Sequence, residues 1–230
     1  MKNENKINII TVLLSGIAFL FLQTNFAYSA LVTSVGELRT PNSIIDFSQF
    51  EVVTGIPDLP SSLQVGDLVG EDIQLSGSGS IQINNGVWGL NTNGTWNSTD
   101  EAFARTSDYG VQYYQFNDGL VSGVGAFMNY TPGVSSNIFI RVLGEDLSML
   151  EQYNITTVAP ISTPGGTNDG GFRGIQRSTA DIAGFSVEGS YFYIEDVTFT
   201  RAPVPIPSAA WLLGSGLVGL IGIKRKLRKG

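Results

Sequence analysis

The chain has no cysteine and no histidine. Without them there is no Cys or His zinc site, no Ser-His-Asp triad, no thiolate nucleophile and no imidazole base, so only carboxylate-based catalysis stays open. Disulfides are absent too, yet a central body of roughly 170 residues can bury a core that does without them. Lysine is missing between Lys6 and Lys224. Residues 31–203 therefore carry six arginines against nineteen acids, a formal charge of 6 − 19 = −13. Such a surface repels phosphate backbones and excludes nucleic acid as a partner, while favouring cations. Long apolar runs are lacking everywhere except at the two ends.

What is present in the body is glycine, 28 in the whole chain, together with short β-rich runs. These include "SIIDFSQF", "EDIQLSG", "SIQINNGVWGL", "GVQYYQF", "VSGVGAFMNY", "NIFIRVLG", "LSMLEQYNIT", "GFRGIQR", "IAGFSVEG" and "SYFYIEDVTFT". Turn signals separate them at Asn84-Asn85-Gly86, Asn117-Asp118-Gly119, Thr131-Pro132-Gly133 and residues 163–171. About ten strands with no long amphipathic helix predict an all-β, antiparallel β-sandwich, jelly-roll-like, over residues 30–202. Alternation sends Ile81 and Ile83 to one face, and Ile138, Ile140 and Val142 to one face of a strand that is apolar on both sides and is expected to be central. Glycines inside "VSGVGAFMNY" predict a bulge or close approach by another segment. In the last run Phe192 and Ile194 share a face while Val197 and Phe199 share the other, so a β-bulge at Glu195-Asp196 is expected to restore one buried face.

The N-terminus, residues 1–29, reads as a signal peptide. Lys2 and Lys6 precede an apolar run over residues 7–22, and Ala27 and Ser29 supply the small-residue spacing that signal peptidase accepts, so cleavage is expected after Ser29 or Ala27. An uncleaved N-terminal anchor is the alternative. At the other end, Pro203, Pro205 and Pro207 break regular structure and residues 208–223 hold no charge. As a helix they would reach about 24 Å, marginally enough for a bilayer core of about 30 Å with Trp211 at an interface. Lys224, Arg225, Lys226, Arg228 and Lys229 follow. The positive-inside rule holds this end and the leader's lysines in the cytoplasm, leaving the body outside.

This C-terminal arrangement, residues 203–230, resembles the PEP-CTERM sorting signals of Gram-negative bacteria that make exopolysaccharide, and more closely the VPLPA-CTERM variant. Val204, Pro205, Ile206 and Pro207 stand at the motif positions and Trp211, Leu212 and Gly216 follow; Ile206 replaces the usual Leu and Ser208 the usual Ala. The resemblance covers about 27 residues. It implies processing near the proline motif by an exosortase, transient anchoring in the inner membrane, and delivery to the cell surface or extracellular matrix. A plain membrane anchor is the alternative. The body is similar to the β-sandwich ectodomains often found ahead of such signals, through Ile45-Asp46-Phe47, the run from Gly123 to Asn129, Gly170-Gly171-Phe172 with Gly174-Ile175, and Ile194 to Phe199.

For chemistry in the body, a glycosidase would need two facing carboxyls, one in an apolar setting; Glu151, Glu188 and Glu195 are the formal candidates, though each reads more readily as an outward strand position. A calcium ion would need clustered oxygens. Glu195, Asp196, Asp169 and Asp72 are weak candidates, with Asp67, Glu71 and Asn168 nearby in sequence, but no EF-hand or nonapeptide spacing is present. Trp88, Trp96, Tyr109, Tyr113 and Tyr114 offer faces on which sugar rings stack, though each reads more readily as core or rim packing. The expectation is a non-enzymatic exported protein without a required cofactor, structural or adhesive in exopolysaccharide or biofilm. The alternatives are a carbohydrate-binding module, with or without calcium, and a carboxylate-dependent polysaccharide hydrolase.

Overall fold

A computed structural model describes residues 29–39, 43–50, 62–79, 81–106, 108–134 and 137–201. The leader through Ala27, the motif Val204 to Pro207, Trp211, the apolar stretch 208–223 and the basic tail lie outside the described residues. Within them the chain forms thirteen strands, one short α-helix and three single-turn 3-10 helices. The strands are β1 (Ala30–Val32), β2 (Ser43–Ile45), β3 (Ser62–Gln64), β4 (Ile73–Ser78), β5 (Ile81–Gly89), β6 (Thr95–Thr106), β7 (Gly110–Phe116) and β8 (Val121–Tyr130). They continue with β9 (Phe139–Leu143), β10 (Met149–Asn154), helix α1 (Ile155–Val158), β11 (Gly171–Gln176), β12 (Gly184–Gly189) and β13 (Phe192–Arg201).

The strands pair antiparallel in two sheets. A seven-stranded sheet runs β1-β11-β8-β13-β6-β5, with β2 also on β13, and a six-stranded sheet runs β10-β9-β12-β7-β4-β3. The inward positions of both sheets meet in one core, where Ile73, Leu75, Tyr114, Phe116, Ile140, Val142, Phe185 and Val187 of the smaller sheet face Val124, Ala126, Met128, Ile175, Phe192, Ile194, Val197 and Phe199 of the larger. Period-2 alternation produces this directly: Ile73 and Leu75 are buried while Gln74 and Ser76 between and after them are only half-buried.

The phase slip in the last strand is a bulge. Pairing of β13 with β8 shifts between Glu195 and Thr198, Asp196 takes φ +51°, and Phe192, Ile194, Val197 and Phe199 all enter the same core. The far side of β13 changes partner at the same point, from β6 over Phe192–Ile194 to β2 over Val197–Phe199. The bulge thus lets one central strand serve two neighbours. Close approach at the β8 glycines is also found, since a Cβ built on Gly125 would lie 2.6 Å from Phe172 Cζ.

Three features differ from the sequence expectation. Strand β9 is apolar on both faces but lies one in from an edge, between β10 and β12; its outward Phe139 is covered by the Arg141 guanidinium, 5.2 Å from the ring centre. Asn84-Asn85-Gly86 is not a turn but the place where β5 slips register on β6, within one continuous strand. Strands β1, β3 and β6 were not anticipated, because two are three residues long and "TWNSTDEAFART" has too few apolar residues to alternate. Among the described residues no helix is long and apolar enough to cross a membrane.

Candidate functional site

Aromatic side chains concentrate on the outer face of the larger sheet, where the distal β5–β6 hairpin supplies Trp88 and Trp96 as a cross-strand pair. Trp96 is fully buried with Leu90, Phe103 and Tyr193, and with Trp88 and Phe127 packed against them. Its ring lies 6.1 Å from Tyr193, nearly parallel, and 5.8 Å from Phe127. Trp96 is therefore a core residue of a second, smaller cluster. Trp88 is half-buried, and its ring carries the Arg105 guanidinium 3.4 Å from the centroid. Arg105 also donates to Gln82 Oε1 at 2.7 Å. Burial lowers the Arg105 pKa, with Tyr193 opposing. The indole nitrogens of both tryptophans are buried without a hydrogen-bond partner among the described residues.

A loop holds this arm in place. Thr95 N–H donates to Gly166 O at 2.8 Å and Asn168 N–H to Thr95 O at 2.9 Å, and the Asn168 side chain bonds both N–H and C=O of Asn97. The sequence reading explains Asn168 and Asp169 by turn formation alone; the turn falls instead at Pro164-Gly165, and Asn168, at φ +54°, docks on Thr95 and Asn97. Beneath the loop lies a buried amide network. Asn93 Nδ2 donates to Asn129 Oδ1 at 2.9 Å, Ile161 O at 3.1 Å and Tyr130 O at 3.2 Å, while Asn93 Oδ1 accepts Thr163 N–H at 3.1 Å.

The outer face of the smaller sheet is polar. Tyr113 faces out and Tyr114 in, as strand alternation requires. Tyr114 is fully buried, donates to Gln112 Oε1 at 2.8 Å, and has its pKa pushed up by burial. Tyr113 lies across Gly184, where a Cβ would meet its ring at 2.4 Å. Tyr109 is 64% exposed and its hydroxyl donates to Glu188, which also receives Arg141. Arg141 continues to Gln152, so one row of polar side chains crosses β12, β9 and β10.

The three formal acids for hydrolysis do not gather. Glu188 sits on β12 against Arg141 and Glu151 on β10 against Arg177, guanidinium surroundings instead of the apolar pocket a general acid needs; Glu195 is on β13 in the other sheet. The calcium candidates are likewise dispersed. Asp72 stands before β4, where hydrogen bonds from Gln74 and Asn117 lower its carboxyl pKa. Asp169 leans on Gly166 in the loop, and Glu195 and Asp196 occupy the β13 bulge. Glu71 is bonded to Arg201. Among the described residues no three acids form a group that could hold a metal ion.

Sequence reasoning missed one charged cluster. At the end of the sandwich where β1 and β10 are the edge strands, Ser29 Oγ donates to Glu151. Arg177 reaches Glu151 at 3.2 Å and grips Asp181 through Nε at 2.6 Å and Nη2 at 2.7 Å. The hydrogen bond to Asp181 pushes the Arg177 guanidinium pKa up. These residues lie far apart in sequence, and nothing local in "MLEQYN" or "IQRSTAD" signals their meeting. Comparison with protein-family models and with curated proteins finds no match for this chain.

Proposed function

We propose that this is an exported, non-enzymatic surface or matrix protein: a leader delivers it across the inner membrane, an exosortase processes its VPLPA-type tail, and a jelly-roll-like sandwich serves a structural or adhesive role in exopolysaccharide. One observation carries the reading. Among the described residues the strands begin at Ala30 and end at Arg201, so the sandwich lies within the interval between the expected leader cleavage after Ser29 and the proline motif at Val204, and neither cut would remove a described strand. The acidic, lysine-free body between two lysine-bearing ends agrees with an orientation outside the membrane. The test is mass spectrometry of the protein recovered from an exosortase-bearing host. The mature species is expected to start at Ala30 and to end near the proline motif; a mature species with its tail intact refutes the sorting step.

A second reading, carbohydrate binding, is favoured by Trp88 under Arg105 and by exposed Tyr109 beside Glu188 and Arg141, since sugars stack on aromatic faces and bond to charged planar groups. Glycan-array binding with and without chelator separates a binding module, calcium-supported or not, from a purely structural body.

A further inference from the structure

We propose that removal of the leader after Ser29 seats the new α-ammonium of Ala30 on the Glu151 carboxylate, making the Glu151–Arg177–Asp181 cluster a receptor for the mature N-terminus. The proposal rests on the export reading above and names what that cleavage does to the fold.

Charge count is the first support. The cluster holds two carboxylates and one guanidinium, and Asp181 takes that guanidinium in a two-pronged grip at 2.6 and 2.7 Å. Among the described residues Glu151 receives the longer 3.2 Å contact from Arg177 and neutral hydroxyls from Ser29 and Tyr153. Its side chain is 15% exposed. A carboxylate this enclosed, sharing its one guanidinium with the more tightly held Asp181, is a poor end state.

Position is the second. Ala30 is fixed by its pairing opposite Gln176, one residue from Arg177. Ser29 Oγ, which touches Glu151 in the uncleaved chain, is four covalent bonds from Ala30 N, so the two atoms lie within about 4.5 Å of each other. Cleavage removes the hydroxyl and leaves a charged donor beside the oxygen it served. A charge-assisted hydrogen bond there is shorter and stronger than the neutral one it replaces. The groups facing the new terminus are Glu151 and Tyr153 from β10, with Arg177 and Asp181 beyond the end of β11. No lysine exists in residues 31–203 to compete for the site. The contact would tie the edge strand of one sheet to the edge strand of the other, so β1, only three residues long, is secured once the leader is gone.

The experiment uses the mature protein recovered from an exporting host. Its start is read by intact mass, and its α-amine is titrated by competitive acetylation between pH 6 and pH 10, read on the tryptic peptide from Ala30 to Arg39. The expected midpoint is at least about one unit above the ordinary α-amino range, giving roughly tenfold slower acetylation at neutral pH than in the free peptide. In E151Q the midpoint is expected to return to the ordinary range. An ordinary α-amine on wild-type protein that starts at Ala30 overturns the proposal and leaves the export reading standing. That measurement needs no variant, so an E151Q chain that fails to fold does not shield it. A protein that starts elsewhere, as after Ala27, overturns the proposal and leaves export standing; one that keeps its leader overturns both.

Discussion

Replacing Asn93 tests whether hydrogen-bond pattern or mere shape holds the loop over the larger sheet. Asn93 is 3% exposed. Its amide donates to Asn129 Oδ1, Tyr130 O and Ile161 O, and its oxygen accepts Thr163 N–H. Asn93→Ala strips partners from several enclosed groups at once. At about 1–3 kcal/mol for each buried group left unpaired, and with water reaching the half-buried Thr163, the loss comes to about 3–5 kcal/mol. For a domain of this size that lowers Tm by roughly 10 °C or more. The sharper variant is Asn93→Asp, which keeps the shape but turns the donor into an oxygen facing three acceptors. It should destabilise at least as much as alanine does. Urea melts followed by circular dichroism give the free energies, and hydrogen exchange shows whether residues 159–170 open first. An Asn93→Asp protein as stable as wild type would refute the network account.

Gly94 has φ +84° and a Cβ there would lie 1.9 Å from Gly166 O; Gly94→Ala is expected to cost about 2 kcal/mol or more and to free the loop, seen as faster proteolysis at residues 163–170. Trp96→Ala should cost about 3–5 kcal/mol, whereas Trp88→Ala, which loses a half-exposed stack on Arg105, should fold and lose about 1 kcal/mol; equal losses would contradict the assignment of Trp96 to the core. Burial raises the pKa of Tyr114, Tyr193 and Tyr113. The folded chain keeps these protons while the unfolded chain releases them near pH 10, so their contribution is whole below that pH and is lost as pH rises above it. Tyr114→Phe should flatten the alkaline stability curve by about 1.4 kcal/mol per pH unit, measured by urea melts between pH 9 and pH 11.

The sequence by itself determined the class of the fold, most of its strands and one irregularity. Alternation is local, so Ile73 and Leu75 or Ile140 and Val142 reveal a buried face without knowledge of partners, and the phase break at Glu195-Asp196 reveals a bulge for the same reason. The two ends are equally local signals, written in charge and hydropathy alone. Tertiary structure decided the rest. Strand β6 exists because β5 and β13 offer it backbone partners, not because its polar sequence asks for a strand. Whether Trp96 or Trp88 is buried depends on Phe127 and Tyr193, brought in by β8 and β13, and Glu151 meets Arg177 because two sheet edges coincide. Such pairings are set by which strands lie side by side, and strand order leaves no periodic trace in the chain.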